Sequence, residues 1–162
     1  MTQVGCDLTQ SDMDPAPSRP RTGDANRRQP LPTATTVDVN HLPDERWDDL
    51  ARGTIRFRTL FSAPATDSDA ITCGVAVMAK GDTFALHSHP QAEVYFGLEG
   101  EGEVMVDGVA HRLAPGVALY IPGGAVHGVP LAKAPLRWFY CFAADSFADI
   151  RYSFPFETDP AQ

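Results

Sequence analysis

Basic residues are scarce in this chain: 13 Lys and Arg stand against 21 Asp and Glu in 162 residues, a formal net charge of −8. A nucleic-acid surface needs a clustered basic face to displace phosphate counterions. The only local concentration, Arg19, Arg21, Arg27 and Arg28, is diluted through a polar stretch, so nucleic acid is not an expected partner. Cysteine is scarcer still, with Cys6, Cys73 and Cys141 and no CxxC pair, which argues against a disulfide framework and for reduced thiols in the cytoplasm. No basic and apolar leader precedes Cys6, and no run approaches the ~20 apolar residues of a membrane helix, so neither secretion nor a membrane is expected. There is no internal repeat, and the length suits one domain. Residues 1–36 carry hardly any large apolar side chains and hold Pro15, Pro17, Pro20, Pro30 and Pro32. Such a stretch cannot offset its ordering entropy. It reads as a disordered extension, with an arm crossing to a partner subunit as the alternative, and 37–162 reads as a single domain.

What is present is mostly β pattern. A capping-type Asn40, an early Pro43 and acidic residues before Leu50 and Gly53 predict one short helix, which Trp47 and Leu50 could dock. His41 reads as a surface histidine. From Thr54 the period becomes two, with Ile55, Phe57, Thr59 and Phe61 alternating with Arg56 and Arg58. Further strands are expected over 71–79, 84–88, 92–98, 102–106, 109–113, 117–121, 126–130 and 136–143. Asp107-Gly108 signals a type I′ hairpin. Many short strands punctuated by Gly and Pro predict an antiparallel sandwich or barrel, over about 54–156. Beyond the last strand Ile150, Tyr152, Phe154 and Phe156 alternate, as in an extended tail laid over apolar surface.

Two stretches carry chemistry. In GDTFALHSHPQAEVYFGLEG, residues 81–100, His87 and His89 are two apart and leave one face of a strand, as do Glu93 and Tyr95. A third histidine, His127, follows the short strand and Gly-Pro turn of 116–127. Three imidazoles and a carboxylate suit a divalent first-row metal with room left for substrate. Fe(II) heads the candidates, with Mn(II), Ni(II), Zn(II), Co(II) and Cu(II) also compatible. Each histidine should donate its other ring N–H to an acceptor that the sequence does not identify. Tyr95 shares the face of Glu93: its hydroxyl could meet a bound substrate, a nearby cation would favour its phenolate, or it could be an aromatic filling the barrel.

At these residues the chain resembles the cupins. The first stretch resembles the motif G(X)5HXH(X)3–4E(X)6G through Gly81, His87, His89, Glu93 and Gly100. The second resembles G(X)5PXG(X)2H(X)3N through Gly116, Pro122, Gly124 and His127, with Leu131 in place of the final Asn. The resemblance implies an all-β, single-domain jelly-roll barrel with the four ligands named above. The spacing His-X-His-X3-Glu-X-Tyr with the later His127 is similar to the small cupin lyases that cleave dimethylsulfoniopropionate (DMSP) to dimethyl sulfide and acrylate. That likeness implies Tyr95 as base, and Tyr152 becomes the candidate second catalytic or substrate-contacting phenol.

A sulfonium is a soft cation without hydrogen-bond donors, so aromatic faces suit it. Tyr120, Trp138 and Tyr140 are the candidate pocket residues, with Phe96 and Phe142 beside them. Trp138, Tyr140 and Phe142 share one strand face, but which face lines the pocket is left open by the pattern. The ligand set is equally compatible with an Fe(II) dioxygenase or an isomerase acting on a small organic molecule, or with a non-catalytic binding cupin. A small-molecule substrate is the expected partner, and a homodimer is an open alternative to a monomer.

Overall fold

The computed structural model describes residues 34–155. Most of the expected N-terminal extension, Cys6 and Phe156 lie outside the described residues. Ten strands follow in order: β1 (Glu45–Arg46), β2 (Arg56–Phe61), β3 (Thr72–Met78), β4 (Phe84–His87), β5 (Glu93–Gly100), β6 (Gly102–Val106), β7 (Val109–Leu113), β8 (Ala118–Ile121), β9 (His127–Val129) and β10 (Leu136–Phe142). They form two antiparallel sheets, ordered β1-β2-β3-β10-β5-β8 and β4-β9-β6-β7. This is the all-β architecture expected of a jelly roll. Nine strands coincide with the expected ones to within a few residues at their ends. At the β6–β7 hairpin Asp107 and Gly108 both have positive φ, 47° and 79°, as a type I′ turn requires. Among the described residues no helix is long and apolar enough to cross a membrane.

The segment expected to be one helix is built differently. Two 3-10 turns, Val39–His41 and Leu50–Arg52, flank the two-residue strand β1. Asp38 and Asp49, rather than Asn40, cap them by accepting from the backbone N–H two residues on, each at 2.9 Å. The acidic residues expected in a helical first turn serve the sheet instead. Asp44 accepts from Arg58 Nε at 2.7 Å and from Arg56 at 3.4 Å, and Glu45 accepts the backbone N–H of Thr59 at 2.9 Å. Arg58, through its hydrogen bond, holds the Asp44 carboxyl below the usual carboxylate range. Long-range partners have therefore overridden local helix propensity. His41 is exposed beside Asp38, as a surface histidine should be.

The core lies between the sheets, and β10 shows how. Leu136, Trp138, Tyr140 and Phe142 are buried, whereas Arg137, Phe139 and Cys141 are only partly so. Inward residues of β10 face inward residues of β5 across the pair: Trp138 meets Gly97, Tyr140 meets Tyr95 and Phe142 meets Glu93. On the other side Tyr140 lies opposite Gly74 of β3. A Cβ on Gly74 would collide with the Tyr140 hydroxyl and ring, so the missing side chain is what lets the phenol lie across β3.

Candidate metal centre

The first motif places its candidate ligands on two strands and the turn between them. His87 ends β4 opposite His127 of β9, His89 lies just beyond the end of β4, and Glu93 begins β5 in the other sheet. All four are nearly sealed from solvent, at 1–3 % exposure. One ring nitrogen from each of His87, His89 and His127 lies within 4.8 Å of the other two. Glu93 Oε2 approaches His127 Nε2 at 3.1 Å and His89 Nε2 at 3.4 Å.

The acceptors that the sequence does not identify are backbone carbonyls. His87 Nδ1 is 2.8 Å from Ala85 O, His89 Nδ1 is 3.0 Å from Gln91 O, and His127 Nδ1 is 2.9 Å from Ala125 O. A carbonyl only accepts, so each Nδ1 carries the proton and each Nε2 of a neutral ring presents a lone pair. Nε2 of His87 and of His89 are buried without a hydrogen-bond partner; the His89–Glu93 approach is close in distance but not aligned as a bond. Two unpartnered Nε2 atoms, a third imidazole hydrogen-bonded to Glu93 and the carboxylate itself thus converge in one buried site. Each unsatisfied buried acceptor costs about 1–3 kcal/mol, and Glu93, with His127 Nε2 as its hydrogen-bond partner, adds a buried carboxylate. A divalent cation satisfies all four, so the residues fit a metal.

Burial, then the neighbouring His127 and His89, push the His87 imidazole down to about 3. The ring is therefore neutral near pH 7, as a ligand must be. In the unfolded chain it would hold its proton up to about 6.5. Between these values unfolding takes up a proton, so metal-free protein should be fully stabilised by this group above about 6.5 and lose that stability as pH falls toward 3. Thermal unfolding of apoprotein at neutral pH and in mild acid checks this: a lower melting temperature in acid is expected, and an unchanged one contradicts a neutral His87.

Beside these residues lies a small cavity of about 30 Å³, lined by Glu93, Tyr95, Trp138, Tyr140, Phe142 and Tyr152 among others. Tyr95 is 1 % exposed and lies beside Glu93, and burial followed by the Glu93 charge raises its pKa far above that of a free phenol. The Tyr152 ring stands 5.2 Å from His87 and 5.4 Å from His89, centre to centre. It is held there by the bridge between Ser88, which separates the two histidines, and Ser153. Burial, then Glu93, raises its pKa as well. Trp138 and Tyr140 are lining residues by their rings, and burial raises the Tyr140 phenol too.

Tyr120 is not in this site. It is 64 % exposed on the outer face of β8, opposite Val94, because Glu93 and Ile121 are the inward pair of those strands. Phe96 is outward for the same reason. Residues not foreseen take their place: Trp47, Phe57 and Phe147 complete the wall. Trp47 meets Tyr152 edge-on at 4.9 Å, and Phe57 stacks on Phe147 at 5.7 Å. The sequence suggests for Trp47 only the docking of a helix. Its aromatic character is the available signal, but its inward position depends on β1 just before it, which Asp44 and Glu45 tie to β2. Leu131, where the second motif lacks its Asn, is exposed on the loop after β9.

Comparison with known proteins agrees with this geometry. A cupin domain family matches residues 74–142. Dimethylsulfoniopropionate lyase DddW of Ruegeria pomeroyi is 39 % identical over 118 residues, covering 73 % of this chain and 78 % of DddW. Among solved structures, the polyketide cyclase RemF of Streptomyces resistomycificus superposes with a TM-score of 0.66 at 17 % identity, over 78 % of this chain and 89 % of RemF. A structure from a study of the DMSP lyases RdDddP and RnDddQII superposes with a TM-score of 0.58 at 17 % identity, over 70 % of this chain and 62 % of that one. The last two speak to fold alone. The fold, the buried cluster of three histidines and the extent of the DddW match together establish that this chain belongs to the cupin family, among the cupins that resemble the DMSP lyases.

Proposed function

We propose that this chain is a metal-dependent carbon–sulfur lyase that cleaves DMSP to dimethyl sulfide and acrylate by β-elimination, with Fe(II) first among the metals. The observation that carries the reading is the character of the cavity beside the cluster. Among the described residues its wall is mostly aromatic, no Lys or Arg lines it, and Glu93 is its one carboxylate. Aromatic faces suit a sulfonium, since cation–π attraction needs no donor on the ligand. The likeness to DddW supports the same substrate.

Held by His87, His89, Glu93 and His127, a divalent ion would bind the substrate carboxylate, acidify the adjacent C–H and offset the Glu93 charge that opposes a Tyr95 phenolate. The chain's own residues do the rest. As the phenolate, Tyr95 Oη takes the proton from the carbon next to the carboxylate and becomes a phenol, the electron pair forms the C=C bond, and the C–S bond breaks with its electrons going to sulfur. Dimethyl sulfide leaves as a neutral molecule and acrylate keeps the carboxylate, so no electron acceptor is needed. Tyr152, on the histidine side, orients the substrate against Trp47 and excludes water. Trp138, Tyr140 and Phe142 present ring faces to the cavity.

The test is a sealed, oxygen-free assay of DMSP with protein loaded separately with Fe(II), Mn(II), Ni(II) and Zn(II), alongside a chelated control. Equal amounts of dimethyl sulfide and acrylate from loaded protein alone are expected. Absence of both from well-loaded protein rejects the substrate, and activity that begins only when oxygen and a phenol or diketone are supplied would favour a dioxygenase.

A further inference from the structure

Two thiols that the site does not use face each other across the larger sheet. Cys73 on β3 and Cys141 on β10 are direct partners in register, so their side chains leave the same face. Tyr140 and Phe142, on either side of Cys141, point into the cavity, which puts the thiol pair on the outer face immediately behind that wall. Both are free thiols. Directly opposite residues hold their Cβ atoms about 4.5–5.5 Å apart, and a disulfide asks for about 3.5–4.5 Å. A small approach of the two strands closes that gap.

We propose that Cys73 and Cys141 form a dithiol site that a small-molecule disulfide oxidises reversibly to a cross-strand disulfide. Cys141, the more exposed of the two, attacks one sulfur of the external disulfide, giving a mixed disulfide and releasing one small thiol. Cys73 sulfur then attacks Cys141 sulfur and expels the second thiol. Two protons and two electrons pass from the protein to the external disulfide, and one S–S bond replaces another. Burial pushes the Cys73 thiol up to about 11, and burial raises Cys141 as well. The thiolate is the nucleophile, so exchange should quicken as pH rises. Drawing the strands together strains the bond and places it among the easily reduced disulfides.

The full chain would be incubated with oxidised glutathione at mildly alkaline pH, its remaining thiols alkylated, and its peptides mapped by mass spectrometry. A cross-link joining the Cys73 and Cys141 peptides, reversed by reduced glutathione, is the expected result. Both thiols alkylated after oxidation, a persistent glutathione adduct on Cys141, or a link running through Cys6 would overturn the proposal. In Cys141→Ser, Cys73 should stay alkylatable under the same conditions. Oxidation of Cys73 in that variant would show that it reacts without its partner, which contradicts an initial attack by Cys141. None of these readouts depends on turnover of DMSP.

Discussion

Replacing His127 with alanine should abolish metal retention and turnover together. His127 is 1 % exposed, lies opposite His87 in the β4–β9 pair, and brings its Nε2 within 3.1 Å of the Glu93 carboxylate. Removing it deletes one of three imidazoles and leaves the carboxylate facing an apolar void. Loss of a residue that only supports a ligand typically costs 10–100-fold in metal affinity, so loss of the ligand itself should exceed roughly 100-fold. His89→Ala should behave alike, because its Nδ1 is fixed by Gln91 O and its Nε2 faces Glu93. Metal analysis after gel filtration, with far-UV circular dichroism as the control for folding, reads the outcome. Stoichiometric metal in both folded variants would remove the basis of the site.

Tyr95→Phe should keep fold and metal but lose most elimination activity. The ring is packed against Trp138 at 5.3 Å and phenylalanine fills the same space, so packing is conserved while the hydroxyl near Glu93 is lost. A positioned general base contributes about 10²–10⁴-fold, and a loss in kcat of that order is expected. Tyr152→Phe provides the contrast. Its ring contacts with Trp47, His87 and His89 survive the change, so a smaller effect, weighted toward KM, fits its role in orientation. Wild-type turnover in Tyr95→Phe would make Tyr95 a packing residue, and an equal collapse of kcat in Tyr152→Phe would transfer the base to that phenol.

The candidate ligand set is legible in the sequence because spacing and strand period are local properties. His87 with His89, and Glu93 with Tyr95, need only an extended chain to share a face. Strand positions are legible for the same reason. Orientation is not. On β10 Phe139 and Cys141 are as apolar as much of the opposite face, so alternation separates Trp138, Tyr140 and Phe142 from them, and Arg137 alone marks which set is outward. That choice is set by register, through the pairing of Phe142 with Glu93. Tyr120 leaves the expected pocket on the same account, since only the pairing of Glu93 with Ile121 turns it outward. The expected helix does not form because Asp44 and Glu45 find partners on β2, far along the chain, which no local cap signal reveals. The carbonyls of Ala85, Gln91 and Ala125 escape prediction because backbone acceptors carry no residue signature.

The convergence of three imidazoles and one carboxylate in a sealed site is the feature from which the whole functional reading follows. It is tested most directly by titrating apoprotein with Co(II) in the absence of oxygen and following the ligand-field absorption of the bound ion. Saturation at one ion per chain, abolished in His127→Ala, is the expected result. No bound ion in folded wild-type protein would contradict it, and would mean that the fold tolerates these four buried groups without a metal.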